Sequence, residues 1–288
     1  MIGKVCVVTG ATSGLGWETA RSLAHKGATV ILLGRNADKG KVAMEKIREI
    51  KPDARLEFLP VDMGTQAQIR KVASDIKAKY PMIDVLVNNA GTWHSQRILN
   101  GDGLETVFAV NHLAYFLLTH LLYPNLQRPE DARIINIGSD SHFQVKGMHF
   151  ADLSLGKKYH GLRSYAQSKL ANLLFTYELH RRKPDEHITV NCVQPGLVKT
   201  DIGLKHTSWL HQLAWKIRRS SGVEPAEGAR TQVYLATSEE VKGKSGLYFD
   251  DCQPKKSSRA SYDEEAAAQL WEISRALCGI DNYFEPGS

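Results

Sequence analysis

Lys4-Val-Cys-Val-Val-Thr-Gly-Ala-Thr-Ser-Gly-Leu-Gly16 decides how this chain folds. Residues 4–9 are short, apolar and rich in β-branched side chains, the mark of a strand buried on both faces. Gly10, Gly14 and Gly16 then set a turn that opens a helix expected to run to about Lys26. This spacing differs from the usual G-x-G-x-x-G, but its physics is shared. Glycine permits a tight turn and a close backbone approach. The helix start leaves N–H groups free and carries partial positive charge. Strand, glycine turn and helix N-terminus together make a seat for a pyrophosphate. A glycine turn with no ligand is the bland alternative, and the flanking strand and helix weigh against it.

The same rhythm repeats downstream. Strands are expected at Thr29–Leu33, Arg55–Val61, Asp84–Asn88, Arg133–Ile137, Ile188–Val193 and Gly246–Phe249. Helical patterns fall between them at Asp38 to about Glu49, near Gln66–Lys79, roughly Leu104–Tyr123 and about Ser164–Arg182. Alternation of doubly apolar strands with helices predicts an α/β fold, a Rossmann-type doubly wound parallel sheet of about seven strands with helices on both faces. No Pro/Gly-rich linker and no repeat divides residues 1–288, so one domain is expected. Two long connections break the rhythm: Asp140–Arg163, and Leu197–Pro225, which reads as a substrate lid inserted in that domain.

Composition narrows the classes. The net charge of +6 is spread along the chain, and 42% of residues are hydrophobic, ample for a large core. Lys255, Lys256 and Arg259 lie in a stretch, Asp250–Tyr262, that reads as a solvated loop without interleaved aromatics, so no nucleic acid is expected as a partner. The four cysteines lack CxxC spacing; Cys6 and Cys192 fall in strand-like runs and read as buried free thiols. No metal cluster is evident. The first strand begins almost at Met1, and the longest apolar run, Leu113–Leu122, is short for a bilayer and contains His120. A cytoplasmic protein is the expectation.

Strand ends supply the rest of the binding reading. At the end of the second strand, where a carboxylate would hold a ribose 2′-hydroxyl, stand Gly34 and Arg35. A guanidinium forks onto phosphate, which favours NADP(H) over NAD(H); a merely solvated Arg35 is the alternative. Asp62, after the third strand, either accepts from an adenine amino group or caps the next helix. Asn88-Asn89-Ala90-Gly91 ends the fourth strand with small residues past which a ligand fits, or forms a plain turn.

Tyr165 and Lys169 carry the chemistry. Residues four apart share a helix face. An ammonium beside a phenol favours the phenolate, making tyrosine a usable acid or base near neutrality. Of the ten tyrosines, only Tyr165 has a lysine four residues on.

Together these motifs resemble the short-chain dehydrogenase/reductase family. TGATSGLG matches its phosphate loop, carrying Gly10, Thr12, Ser13, Gly14, Leu15 and Gly16 to cofactor binding. Asp62 matches its adenine contact, and Asn89, Ala90 and Gly91 its fourth-strand motif. Asn111, Ser139, Tyr165 and Lys169 fall in order where the family keeps its catalytic tetrad. Gln194-Pro195-Gly196, with Thr200, looks like the segment closing over the nicotinamide. Ser139 and Tyr165 are much farther apart than in the commonest members. That spacing, SKLANLLFTYEL (168–179) and LWEISRALCGI (270–280) are similar to the retinol-dehydrogenase-like branch, which includes the WW-domain oxidoreductase. Many members of that branch carry an N-terminal membrane anchor, and none is expected here.

On this reading Tyr165 moves the proton, and Ser139 hydrogen-bonds the same substrate oxygen as it gains charge. Ser141 is close enough to compete with Ser139 for that role. The resemblance implies that Lys169 also bonds the nicotinamide ribose, that Asn111 holds a water reaching that lysine, and that members pair through helices into homo-oligomers. His142 and His149 either touch substrate or are solvated. Trp209, Leu210, Leu213, Ala214 and Ile217 form an apolar helical stripe, with Lys216, Arg218 and Arg219 elsewhere. The stripe reads as a lid over the site, or as a surface (209–219) for peripheral membrane contact. The expected activity is hydride transfer between NADP(H) and a lipophilic carbonyl or alcohol: retinoid, steroid, or other aldehyde or ketone. Its rivals are an NAD-linked hydroxysteroid-type dehydrogenase and a non-catalytic NADP(H)-binding redox sensor.

Overall fold

Strand alternation builds two cores on one sheet. Cys6, Val8, Val30, Leu32, Val85 and Val87 face one side, and Val7, Ile31, Leu33 and Leu86 face the other. In this computed structural model, residues 1–196, 198 and 223–285 are described. The predicted lid stripe and Thr200 lie outside them.

The strands are β1 (Val5–Thr9), β2 (Thr29–Gly34), β3 (Arg55–Pro60), β4 (Val85–Asn88), β5 (Ala132–Ile137), β6 (Ile188–Gln194), β7 (Leu247–Asp250) and β8 (Gln253–Lys255). Their order is β3-β2-β1-β4-β5-β6-β7-β8. Every pairing is parallel except β7 with β8. The winding reverses between β1 and β4, where Val8 pairs Val87, so the chain leaves both strands at one crevice.

Helices cover both faces. Against the Val8 side pack α1 (Gly14–His25) and α2 (Ala37–Ile50). On the opposite side lie α3 (Gln66–Lys79), α4 (Thr106–Leu126) and α5 (Gly161–Arg182). Next in the chain, α6 (Arg230–Thr237) returns to the first face through Leu235 and Ala236, and α7 (Glu264–Cys278) covers α4 and α5.

Helix α4 is apolar and long enough to meet the length and hydropathy of a membrane span, beyond the short run expected, but 83% of that window is buried inside the fold. It is a core helix wrapped by neighbours, which is why its apolar residues go all round. Ala109–Leu113 forms a π-turn within it.

Two expectations change. The 250–262 stretch is not a solvated loop: Gln253–Lys255 adds an eighth, antiparallel edge strand, and Ser257, Ser258 and Ser261 are buried. Asp251 and Cys252, both at positive φ, make its tight turn, as a two-residue hairpin requires. Helix α5, expected from about Ser164, begins one turn earlier at Gly161. A Cβ at Gly161 would lie 2.3 Å from the His94 carbonyl oxygen, so glycine lets the helix start against that loop. Cys6 and Cys192 are buried and free, as expected.

Candidate active site

A cleft of about 850 Å³ opens at the carboxyl ends of β1 and β4. Its wall includes Gly10, Thr12, Ser13, Gly14, Leu15, Gly16, Arg35, Asp62, Asn89, Ala90 and Gly91 toward one end, and Ser139, Tyr165, Lys169, Pro195 and Gly196 toward the other. Asn111 is not on the lining, and Thr200 is outside the described residues.

The first end is made of backbone. Ser13 precedes α1 without bonding its first turn through its side chain, which leaves those N–H groups for an anion. A Cβ at Gly16 would meet the Gly10 carbonyl oxygen and Asn89 Nδ2, each at 2.4 Å. Thr9 fastens the two strand ends: its Oγ1 accepts from Asn89 N and Ala90 N, both at 2.8 Å, and its carbonyl accepts from Asn89 Nδ2 at 2.8 Å. This cradle is therefore closed by contacts that exclude side chains, and it fits a dinucleotide phosphate.

Gly34 carries no carboxylate, and a Cβ added there would lie 2.7 Å from Thr12 Cγ2. Arg35 follows, exposed on the cleft wall. An adjoining groove of about 370 Å³ shares Thr12 and Ser13 and adds Lys39 and Lys46, two cations that the sequence reading passed over. Asp62 does not cap α3; Thr65 stands at that position. The Asp62 carboxylate accepts from Gly64 N at 2.9 Å and stays on the cleft wall.

The second end is made of side chains. Lys169 is buried, and its Nζ donates to the Ile137 carbonyl at 2.8 Å while lying 5.6 Å from the Tyr165 ring centroid. Burial pushes the ammonium down to about 8. Ser139 Oγ donates toward Asp140 Oδ1 and Ser141 Oγ, both at 3.2 Å, and accepts from Ser141 N at 3.2 Å. Ser141 lines the cleft too.

Asn111 sits one layer back, in the π-turn of α4. Its Oδ1 accepts from Thr92 N at 2.7 Å, and its Nδ2 donates to Thr92 O at 3.0 Å and Ser168 Oγ at 2.9 Å. Ser168 Oγ in turn donates to the Tyr165 carbonyl at 2.7 Å. The Asn111 side chain is thus committed to protein partners and ties the loop after β4 to the helix bearing Tyr165.

His142 is neither solvated nor on the cleft wall; it is wholly buried. His149 is held beside α5, its backbone N donating to Gln167 Oε1 at 2.8 Å. Trp93, Ile98, Leu99 and Leu162, which the sequence reading did not single out, give the cleft an apolar side, and the last three are exposed. The only local signal for them was their position just after the fourth-strand motif and just before Tyr165.

A doubly wound sheet, an anion seat at its switch point and a Tyr–Lys pair facing the same crevice define a class of nucleotide-dependent oxidoreductases. Comparison with known proteins agrees. The short chain dehydrogenase family matches residues 4–211. Retinol dehydrogenase 12 of Mus musculus is 37% identical over 96% of this chain and 87% of its own length. The WW domain-containing oxidoreductase of Gallus gallus is 37% identical over 96% of this chain and 68% of its own. A short chain dehydrogenase structure from Shigella flexneri 2a, complexed with NADP, superposes with a TM-score of 0.69 at 25% identity, covering 88% of this chain and 98% of that one. The chain belongs to the short-chain dehydrogenase family of oxidoreductases, in its retinol-dehydrogenase-like branch.

Proposed function

We propose that this protein interconverts a lipophilic alcohol and its carbonyl compound with NADP(H), Tyr165 moving the proton. The observation that carries the reading is the shared cleft: Tyr165, Lys169 and Ser139 line one end of it and the glycine cradle with Arg35 the other. Gly10–Gly16 would hold the pyrophosphate, and Arg35, with no carboxylate at Gly34, would hold a ribose 2′-phosphate. The relative solved with NADP supports that choice of cofactor. When bound, the nicotinamide supplies or takes up the hydride.

In the reducing direction, Tyr165 Oη gives its proton to the substrate oxygen as negative charge grows there. Ser139 Oγ, freed to turn from its long bonds to Asp140 and Ser141, donates to the same oxygen. The buried Lys169 ammonium stabilises the phenolate left behind, with little water to screen it. Ile98, Leu99 and Leu162 offer an apolar wall to the rest of the substrate, and the names of retinol-oxidising relatives point the same way. NADPH consumption against aldehydes and ketones graded by chain length and ring system tests this. Turnover should rise with apolar length. Tight NADPH binding with no turnover on any carbonyl would replace the enzyme by a redox-sensing scaffold.

A further inference from the structure

His142 takes no part in the chemistry above, yet it is fully buried directly behind Ser139. Both ring nitrogens meet backbone. Nδ1 is hydrogen-bonded to the Ser139 carbonyl oxygen, and Nε2 lies 3.0 Å from Ser258 N. A backbone N–H only donates, so Nε2 must present its lone pair to Ser258. A carbonyl only accepts, so Nδ1 must carry the proton. The two partners together impose a neutral imidazole of one tautomer. Phe143 and Tyr248 hold the ring in place, with centroids at 4.2 Å and 5.3 Å. Burial lowers the imidazole pKa against the opposing pulls of the Ser139 carbonyl and of Asp140, which is consistent with the neutral form.

The Ser258 side is itself anchored to α5. Ser257 Oγ bonds Tyr177 Oη at 2.7 Å and Ser261 Oγ at 2.6 Å. Ser261 Oγ donates to the Ser258 carbonyl at 2.7 Å. Tyr262 receives the Ser257 N–H at 3.1 Å and stacks on Tyr177, with centroids 5.3 Å apart and planes 11° from parallel. A hydrogen-bonded path therefore runs from the helix that carries Tyr165, through the 257–262 loop and His142, to the backbone of Ser139. By contrast, the Ser139 hydroxyl's own bonds are all 3.2 Å. The residue is fixed by its carbonyl, and the hydroxyl stays free to turn.

We propose that His142 is a positioning residue: as a neutral Nδ1–H imidazole it brackets the Ser139 backbone to the 257–262 loop and so sets Ser139 Oγ where it and Tyr165 can share one substrate oxygen. The role rests on the carbonyl–alcohol reading above; the bracket itself does not.

The test separates the two ring nitrogens. Asn places an amide N–H near Nδ1, and Gln places a carbonyl oxygen near Nε2. His142→Asn keeps the hold on Ser139 and loses only the loop bond, so it should lose less kcat than the other two variants. His142→Gln and His142→Ala should lose roughly tenfold to hundredfold, the cost of misplacing a group by about 1 Å, with the KM for NADPH unchanged. Equal losses in the Asn, Gln and Ala variants, or full kcat in folded Gln and Ala variants, would overturn the proposal. Long-range ¹H–¹⁵N spectra of the wild-type protein read the tautomer without turnover. An Nε2–H or doubly protonated His142 at neutral pH overturns the bracket. The Nδ1–H tautomer in a protein that turns over no carbonyl keeps the bracket and refutes the reading of function.

Discussion

The two ends of the cleft are built from opposite materials. At the β1–α1 end the wall is main chain, shaped by side chains that are missing: Gly16 approaches Gly10 and Asn89 so closely that one added carbon collides. At the α5 end the wall is side chains, and the functional groups are held by partners far away in sequence, Lys169 by Ile137 and Ser139, through His142, by Ser258. A backbone cradle has nothing to titrate and tolerates no bulk. A side-chain constellation tolerates small shape changes in its surroundings but depends on protonation states and on distant supports. Binding and chemistry should therefore fail separately.

The sharpest way to break this division is Tyr165→Phe. It should lower kcat by about 100- to 10,000-fold, the worth of a positioned acid or base, while the dissociation constant for NADPH stays nearly unchanged. Fluorescence titration with NADPH checks the second half, and a parallel loss of affinity would mean the two ends are not separable.

Lys169 comes next. Its folded pKa, about 8, lies below the ordinary 10.5, so burial disfavours its charge. The unfolded chain binds more protons between those values, so this residue's penalty is full below about 8 and fades as pH rises toward 10.5. Lys169→Met should therefore abolish turnover and yet raise stability at pH 7 by up to about 3 kcal/mol, less the lost bond to Ile137. Denaturant melts of both proteins should show that advantage shrinking above pH 8; a less stable Met variant at neutral pH contradicts the assignment. Gly16→Ala is the mirror image of Tyr165→Phe. Overpacking the cradle costs about 1–3 kcal/mol, seen as a tenfold to hundredfold weaker NADPH affinity with kcat at saturation largely kept. The smallest effect is expected at Arg35, which is exposed. Arg35→Ala should raise the KM for NADPH by about tenfold and leave that for NADH alone, the worth of one charge-assisted contact in water. Equal effects on both cofactors would remove Arg35 from phosphate recognition.

The same contrast explains what could be read in advance. The glycine turn, the strand alternation and the Gln66–Lys79 helix are local patterns, legible because sequence neighbours make the relevant contacts. Tyr165 and Lys169 were legible for the same reason, being one turn apart. His142 was not: nothing in Ser-His-Phe-Gln says that Ser258, more than a hundred residues on, will donate to its ring. The edge strand Gln253–Lys255 was hidden because its side chains are all exposed and it contains Pro254, which an edge accepts and a central strand would not. Asn111 was placed in a helix without sign of the π-turn that aims its side chain at Thr92.

Helix α7 and the residues after it carry one more implication. Trp271 and Tyr283 press onto Phe116, ring centroids 5.1 Å and 4.6 Å away, and His112 reaches Ser274 at 2.8 Å. The oiliest stretch of the molecule is thus roofed by residues that leave the ribosome well after it. During synthesis that surface must wait uncovered while the sheet assembles beneath it, an interval in which a chaperone has reason to hold the nascent chain.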